Sequence, residues 1–352
     1  MSPPIRTGNQ EPPTDSSPSD YADRMIADRS GEAPWLTVIM PTFCSTKNGE
    51  QWFDATLRSL AAEPVDGIEI VMIDSSPTSA ARDIAKRYEK RLNLRLFNRP
   101  DLSMWHTKTN FGVEIARAEH ICWLHTDDLW LPGRAAAVRS WIAAAPLLPL
   151  HIAPCSIVNR DGVVLGTWRC PFGKSAVHSS QSVTERLLVQ NFIAAPAPVF
   201  RKDAWVNCGG LDATLWYTAD WDIWLKLAAS GPVAYHDDVT TAFRVHGNSL
   251  TVGGTSDLAD FERQMRIVFD RHLQAFSGCE ARRSKMIERV GRASIAVNTA
   301  LAAASTGSYR RLPGTVVQLL RLGPAGLGRY WHCSRIGERL LPRIRAGFHG
   351  AS

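Results

Sequence analysis

The sequence has no C-x-x-C pair. Its seven cysteines, Cys44, Cys122, Cys155, Cys170, Cys208, Cys279 and Cys333, are scattered. An odd count without metal-ligand spacing reads as free thiols in a reducing cytoplasm. The N-terminus lacks the basic-then-apolar pattern of a secretory signal. No run of 18 apolar residues is present; the nearest, 141–158, is broken by Pro146, Pro149 and Pro154 and reads as a loop feeding a core strand. G-x-G-x-x-G is missing after the first strand, which excludes a Rossmann-type dinucleotide site. No nucleic-acid module accompanies the arginines, so no nucleic-acid partner is expected.

What is present is ordinary globular composition, 45% hydrophobic and 21% charged over 352 residues, enough for one large domain or two. Charge is uneven. Residues 257–352 carry 16 Lys+Arg against 7 Asp+Glu, and residues 1–256 carry 24 against 27. The basicity therefore belongs to the last third, where an anionic surface would meet it.

Residues 1–33 are rich in Pro, Ser, Asp and Gly and read as a disordered leader. Strands are then expected at 35–40, 68–73, 94–97 and 120–124, with helices at about 50–62, 78–91 and 107–118 between them. That alternation predicts a parallel sheet with crossover helices, and functional loops at the carboxyl ends of its strands. Three such ends are chemically distinctive: Pro41-Thr42-Phe43, Asp74-Ser75-Ser76 and Asp127-Asp128. Adjacent carboxylates suit a hard divalent cation with phosphate oxygens as further ligands. A helix over 134–145 follows, then a hairpin around 159–162. A second acidic knot, Asp220-Trp221-Asp222, opens a helix, where either acid also suits a first-turn position. Helices are expected at 257–276 and 281–304. The last 43 residues hold eight Arg and one acid among apolar residues. They read either as a solvated helical tail or as a surface for lipid headgroups.

Seven landmarks in order resemble the family-2 glycosyltransferases, over roughly residues 35–250. They are Val38 to Phe43, Val71 to Ser76, Asn110-Phe111-Gly112, Trp123 to Asp128 with Pro132, Gly209 to Asp212, Ala219 to Trp224, and Arg244-Val245-His246. The resemblance implies an α/β GT-A nucleotide-sugar-binding domain over 34–254, with a mostly parallel central sheet and flanking helices. A C-terminal helical extension (255–305) and a basic amphipathic tail (306–352) follow. It also implies inverting transfer of a sugar from a nucleoside diphosphate to an acceptor hydroxyl, with Mn or Mg as cofactor, in cell-surface polysaccharide or glycolipid synthesis. The acceptor would be a glycan, a glycolipid or a small molecule, and the protein cytoplasmic or peripheral on the inner face of the membrane.

As the resemblance implies, Asp220 is the general base, with Asp222 as fallback. Asp128, Asp127 and His246 would hold the metal, unless Asp127 instead holds the ribose. Pro41, Thr42, Phe43, Asp74, Lys108 and Asn110 would bind the nucleotide sugar. Trp221 and Asp222 would meet the acceptor, and Arg244 a phosphate or a surface acid. Two places depart from the family pattern: Ser75 and His125 stand where acids are common. Those losses leave an inactive glycan- or partner-binding module as the rival reading. A nucleotidyltransferase would add a basic glycine-rich loop after the first strand, which Pro41-Thr42-Phe43-Cys44 is not.

Overall fold

The computed structural model describes residues 24–26, 33–247, 257–276 and 281–349, without side chains for 24–26 and 343–349. In chain order the elements begin β1 (Arg24–Ile26), β2 (Leu36–Thr42), α1 (Lys47–Ala61), β3 (Ile68–Asp74), α2 (Ala80–Lys86), β4 (Asn93–Asn98), α3 (Trp105–Ile115), β5 (His120–Trp123) and β6 (Leu129–Trp130). Next come α4 (Arg134–Ala144), β7 (Leu150–Ile152), β8 (Cys155–Val158), β9 (Val164–Trp168), β10 (Ala176–His178), α5 (Ser180–Val189), β11 (Val199–Arg201), α6 (Lys202–Asn207), α7 (Ala219–Ser230), β12 (Val233–Tyr235) and β13 (Thr241–Arg244). Five helices end the chain: α8 (Leu258–Ala275), α9 (Ala281–Ser305), α10 (Leu312–Leu320), α11 (Gly323–Ser334) and α12 (Ile336–His349).

The sheet grows from two strands buried along their whole length. Every residue of β2 and β3 is buried. Such runs suit parallel strands covered by helices on both faces. Successive side chains still alternate. Val38, Met40, Ile70 and Met72 join a core with Phe53 and Leu57 of α1, whereas Ile39, Val71 and Ile73 face Trp123 and Trp224. Helix α1 starts where the Thr46 side chain accepts the Gly49 N–H (3.1 Å), and it buries one stripe, Phe53, Thr56, Leu57 and Leu60.

The larger sheet has the order β1-β4-β3-β2-β5-β11-β7-β12-β10. It is parallel from β4 through β5 and mixed beyond, because β11 pairs antiparallel with both β5 and β7. The expected parallel sheet is therefore the half from β4 to β5. Residues 24–26, assigned to the leader, instead pair antiparallel with β4 at the sheet edge; the rest of the leader before residue 33 lies outside the described residues. Register sets the site: Thr42 is opposite Asp74, and Ile39 is opposite Trp123. The chain beyond Trp123 thus emerges on the same carboxyl edge. A smaller sheet, β6-β13-β8-β9, carries β13 past that edge.

The C-terminal helices are packed rather than frayed. Leu322, Tyr330 and Cys333 are buried against Val290, Ala293 and Val297 of α9. Glu338 accepts the Arg169 N–H (3.0 Å), which ties α12 to the end of β9. Among the described residues no helix is long and apolar enough to cross a membrane. Six cysteines are unpaired, five of them buried, and Cys279 lies outside the described residues.

Candidate active site

At the end of β5 the chain turns through His125, Thr126, Asp127 and Asp128. The turn is fixed from below. Thr56 Oγ1 donates to the Asp128 carbonyl (2.7 Å), and the Asp128 N–H donates to the His125 carbonyl (3.2 Å). The two carboxylates then differ. Asp128 is 1% exposed; its Oδ1 accepts the Arg244 N–H (3.1 Å), and its Oδ2 has no hydrogen-bond partner among the described residues, with His125 Nδ1 at 3.6 Å. Burial, with the adjacent Asp127 adding, pushes the Asp128 carboxyl up to about 6 against the opposing His125. Asp127 is 29% exposed at its side chain and holds His246 Nε2 at 2.9 Å. Burial works to raise its carboxyl, but the His246 hydrogen bond and the His125 charge outweigh burial and hold it below the ordinary range.

Asp220 opens α7, whose Trp224 stacks on Trp123 of β5 with ring centroids 4.7 Å apart. That contact brings the helix start to the strand end. Asp220 Oδ2 accepts from Asn191 Nδ2 (3.0 Å), and Oδ1 accepts the Trp221 N–H (2.7 Å). Burial raises its carboxyl to about 6 despite these bonds and the His125 charge. His125 is the meeting point. Burial lowers its pKa, yet Asp128, Asp127 and Asp220 together raise it above the ordinary histidine value. The acids at 127–128 and at 220 therefore act on one imidazole at one edge.

Phe43 is 53% exposed just past β2, whereas Pro41 and Thr42 are buried, and the Thr42 carbonyl is taken by Lys108 and the Ser75 N–H. Asp74 is 5% exposed, and its Oδ1 accepts the N–H and hydroxyl of Ser76.

Several expected site residues are committed elsewhere. Lys108 is 2% exposed and donates to the Thr42 carbonyl (2.6 Å), so it is neither a solvated charge nor a phosphate contact. Burial brings its ammonium down to about 8, opposed by Asp74 and Cys44. It braces the end of β2. Asn110 uses both ends of its amide on Leu211, donating to its carbonyl (2.8 Å) and accepting its N–H (3.0 Å), which pins the Gly209–Asp212 turn instead of a nucleotide. Gly210 is needed there: φ is +64°, and a Cβ would stand 2.8 Å from Asn110 Oδ1. Trp221 is buried with Nε1 on the Leu187 carbonyl (2.8 Å) and has no face for a sugar. Arg244 is 3% exposed and binds the carbonyls of Asp127, Asn159 and Arg160, so it is scaffold rather than a phosphate contact.

Asp222 is the clearest correction. It is fully buried and ringed by Lys226 (2.7 Å), His272 (2.8 Å) and Arg271 (2.9 Å). Burial would raise its carboxyl, but hydrogen bonds from His272 and Lys226 pull it down to about 2. It joins α7 to α8 and cannot meet an acceptor. Asp222→Ala would leave Lys226, Arg271 and His272 without this shared carboxylate, so a loss of about 3 kcal/mol in unfolding free energy is expected. Urea denaturation measures it; a change below the error of the fit would remove the structural role.

Two residues that sequence reasoning passed over belong to the site. Asn191 orients Asp220, and Trp52 of α1 lies against His246 with ring centroids 4.1 Å apart. Neither had a local signal, since each acts on a residue far along the chain.

Strand-edge acids on a sheet of this order, facing a helix-borne acid, define a GT-A glycosyltransferase fold. Residues 37–147 match the family model described as glycosyl transferase family 2. A Rickettsia typhi protein described as an uncharacterized glycosyltransferase is 22% identical over 248 residues, 65% of this chain and 70% of that one. The structure of Staphylococcus aureus TarS residues 1–349 in complex with UDP-GlcNAc is 17% identical, with a TM-score of 0.61 over 88% of each chain. A mannosyltransferase of Pyrobaculum calidifontis in complex with GDP-Man and Mn2+ is 17% identical, with a TM-score of 0.50 over 94% of this chain and 90% of that one. At these identities the structural likenesses speak for the fold.

Proposed function

We propose that this protein transfers a sugar from a nucleoside-diphosphate sugar to an acceptor hydroxyl with inversion at the anomeric carbon. One observation carries the reading: the Trp224–Trp123 stack, with ring centroids 4.7 Å apart, joins the helix that opens at Asp220 to the strand that leads into Asp127 and Asp128, nearly a hundred residues earlier in sequence. The nucleotide-sugar complexes of the two structural neighbours support the donor class.

Each residue's work follows from its surroundings. The exposed Phe43 ring stacks on the base, and Asp74 accepts from base or ribose. Asp220, mostly ionised at neutral pH with a carboxyl near 6, takes the proton of the acceptor hydroxyl. The acceptor oxygen bonds to the anomeric carbon as the bond to the diphosphate oxygen breaks on the opposite face. A single carboxylate suffices because no covalent intermediate forms. Retention of this base beside the strand-edge acids disfavours an inactive binding module.

The residues present fit a divalent cation. Asp128 Oδ2 is a buried oxygen without a hydrogen-bond partner among the described residues, and the more exposed Asp127 is paired with His246. Carboxylate oxygen and imidazole nitrogen suit Mn2+ or Mg2+. Among the described residues no group of three or more His, Cys, Asp and Glu would hold an ion unaided, so the donor's phosphates would complete the shell. Asp127 and His246 would hold the cation and Asp128 support it from beneath. Bound there, it would neutralise charge growing on the leaving diphosphate. Release of nucleoside diphosphate from a panel of UDP- and GDP-sugars, with and without Mn2+, tests the reading; no release from any donor would return the chain to the binding-module class.

A lipid-borne acceptor is favoured, in surface polysaccharide or glycolipid synthesis, with the protein held on an anionic membrane face. Helix α10 buries Thr315 alone and exposes Val316, Val317 and Leu320, and Trp331 of α11 is 68% exposed. No Asp or Glu occurs between Glu288 and Glu338, and Arg310 and Arg321 flank the apolar helix. Apolar side chains rimmed by arginine match anionic headgroups. The full chain is expected to sediment with phosphatidylglycerol vesicles, less with phosphatidylcholine, and several-fold less after Val316→Asp with Leu320→Asp. Binding unchanged by that pair would place the contact elsewhere.

A further inference from the structure

A cavity of about 390 Å³ lies among α5, the start of α9, and α11, and none of the strand-edge acids lines it. Ser182, Glu185 and Arg186 face it from one side of α5, Arg329 and His332 from one side of α11, and Arg283 from α9. Spacings of three and four residues put each set on a single helix face. Three guanidinium groups thus share one cavity with one carboxylate.

That carboxylate is saturated. Glu185 is 2% exposed; Arg283 Nε lies 2.5 Å from Oε1, and Arg329 Nη1 lies 3.3 Å from Oε2. Gln181 Nε2 also donates to Oε1 (3.4 Å). Arg186 takes another course. Its Nη1 donates to the carbonyl (2.7 Å) and hydroxyl (2.6 Å) of Ser182, and its plane lies 4.9 Å from the centroid of Phe172. Its buried Nε has no partner among the described residues. His332 Nε2 sits 3.2 Å from the Pro171 carbonyl.

Two positive charges in the wall are therefore unbalanced. Like charges held close around a partly open cavity repel, and an anion placed between them relieves that repulsion. The planar fork of arginine matches the oxygens of a phosphate, and a phosphomonoester carries close to the two charges required. The volume exceeds one phosphate group and falls at the small end of organic-ligand sites. We propose that this cavity binds a phosphate-bearing anion, with Arg186 and Arg329 as its principal donors. The site is separate from the transferase centre and does not depend on the donor reading.

The probes are inorganic phosphate and dihexanoyl phosphatidic acid, added to the full chain at constant ionic strength set with chloride. Thermal melting is followed. Both probes are expected to raise the wild-type midpoint, and Arg186→Gln to lower apparent affinity at least tenfold. Arg186 is chosen because it does not pair with Glu185, so its loss spares that ion network. Arg186→Lys, which keeps charge but loses the fork, should fall between. Asp127→Asn should keep the full shift, which separates this cavity from any phosphate held at the proposed donor site. A stronger shift with the phosphatidate assigns a lipid headgroup; equal shifts assign a soluble phosphate compound. No wild-type shift with either probe, or a shift unchanged by Arg186→Gln or lost in Asp127→Asn, overturns the proposal.

Discussion

Asp220→Asn is expected to lower the turnover number by about 10²–10⁴-fold, the range for loss of a positioned general base. Donor affinity should stay within about twofold, because Asp220 makes no contact with the nucleotide in the proposed mechanism and the amide keeps its size. The Asn191 and Trp221 bonds hold the side chain in place from both oxygens. The wild-type pH profile carries the same signature. Burial raises the Asp220 carboxyl to about 6, and the base works only when ionised. Activity should therefore be full above pH 7 and fall about tenfold per unit as pH drops below 6. The acid limb should become shallower in the residual rate of the variant, since Asp128, whose carboxyl also lies near 6, still titrates. A variant with near-wild-type turnover, or a residual rate with an unchanged acid limb, would move the base elsewhere.

The second large effect concerns the strand-edge pair. In wild-type protein, calorimetry should show donor nucleotide binding that depends on Mn2+. Asp127→Asn should erase the difference between titrations with and without the ion, and His246→Ala should weaken the ion's contribution by about 10–100-fold. Asp128→Ala should also abolish it by another route. Its Oδ1 holds the Arg244 backbone, so the β13 edge carrying His246 loses its anchor. Only the last variant should therefore lose thermal stability as well as binding. Equal affinities with and without Mn2+ in the wild type would reject the cation role for all three residues.

Much of the fold could be read before any coordinates. The runs at 36–40 and 68–73 are apolar apart from Thr37 and Glu69, as suits strands covered on both faces, and both proved buried throughout, with Glu69 paired to Arg95 and Arg117. Asp74 at the end of β3 and the Asp127-Asp128 pair after β5 mark the carboxyl ends of their strands. What could not be read was the direction in which a polar side chain points. Asp220 and Asp222 are two residues apart on a helix, about 200° around its axis, so they cannot face the same surroundings. Nothing local says which of them faces the cleft. The choice is made by α8, which brings Arg271 and His272 against Asp222 from about fifty residues further on.

Lys108, Asn110 and Arg244 follow the same rule. Their residue types suit phosphate or nucleotide binding, yet each is used up on backbone carbonyls or amides that the fold places beside it. A buried polar group must be satisfied, and its partner is set by packing rather than by neighbours in sequence. The C-terminal arginines show the converse: composition marks the last third as basic, and helix packing decides which of them share a cavity with Glu185. The sequence by itself determined the strand edge and the acids on it. Tertiary structure alone decided which polar groups remain available for chemistry, because hydrogen-bond partners drawn from distant elements settle that question.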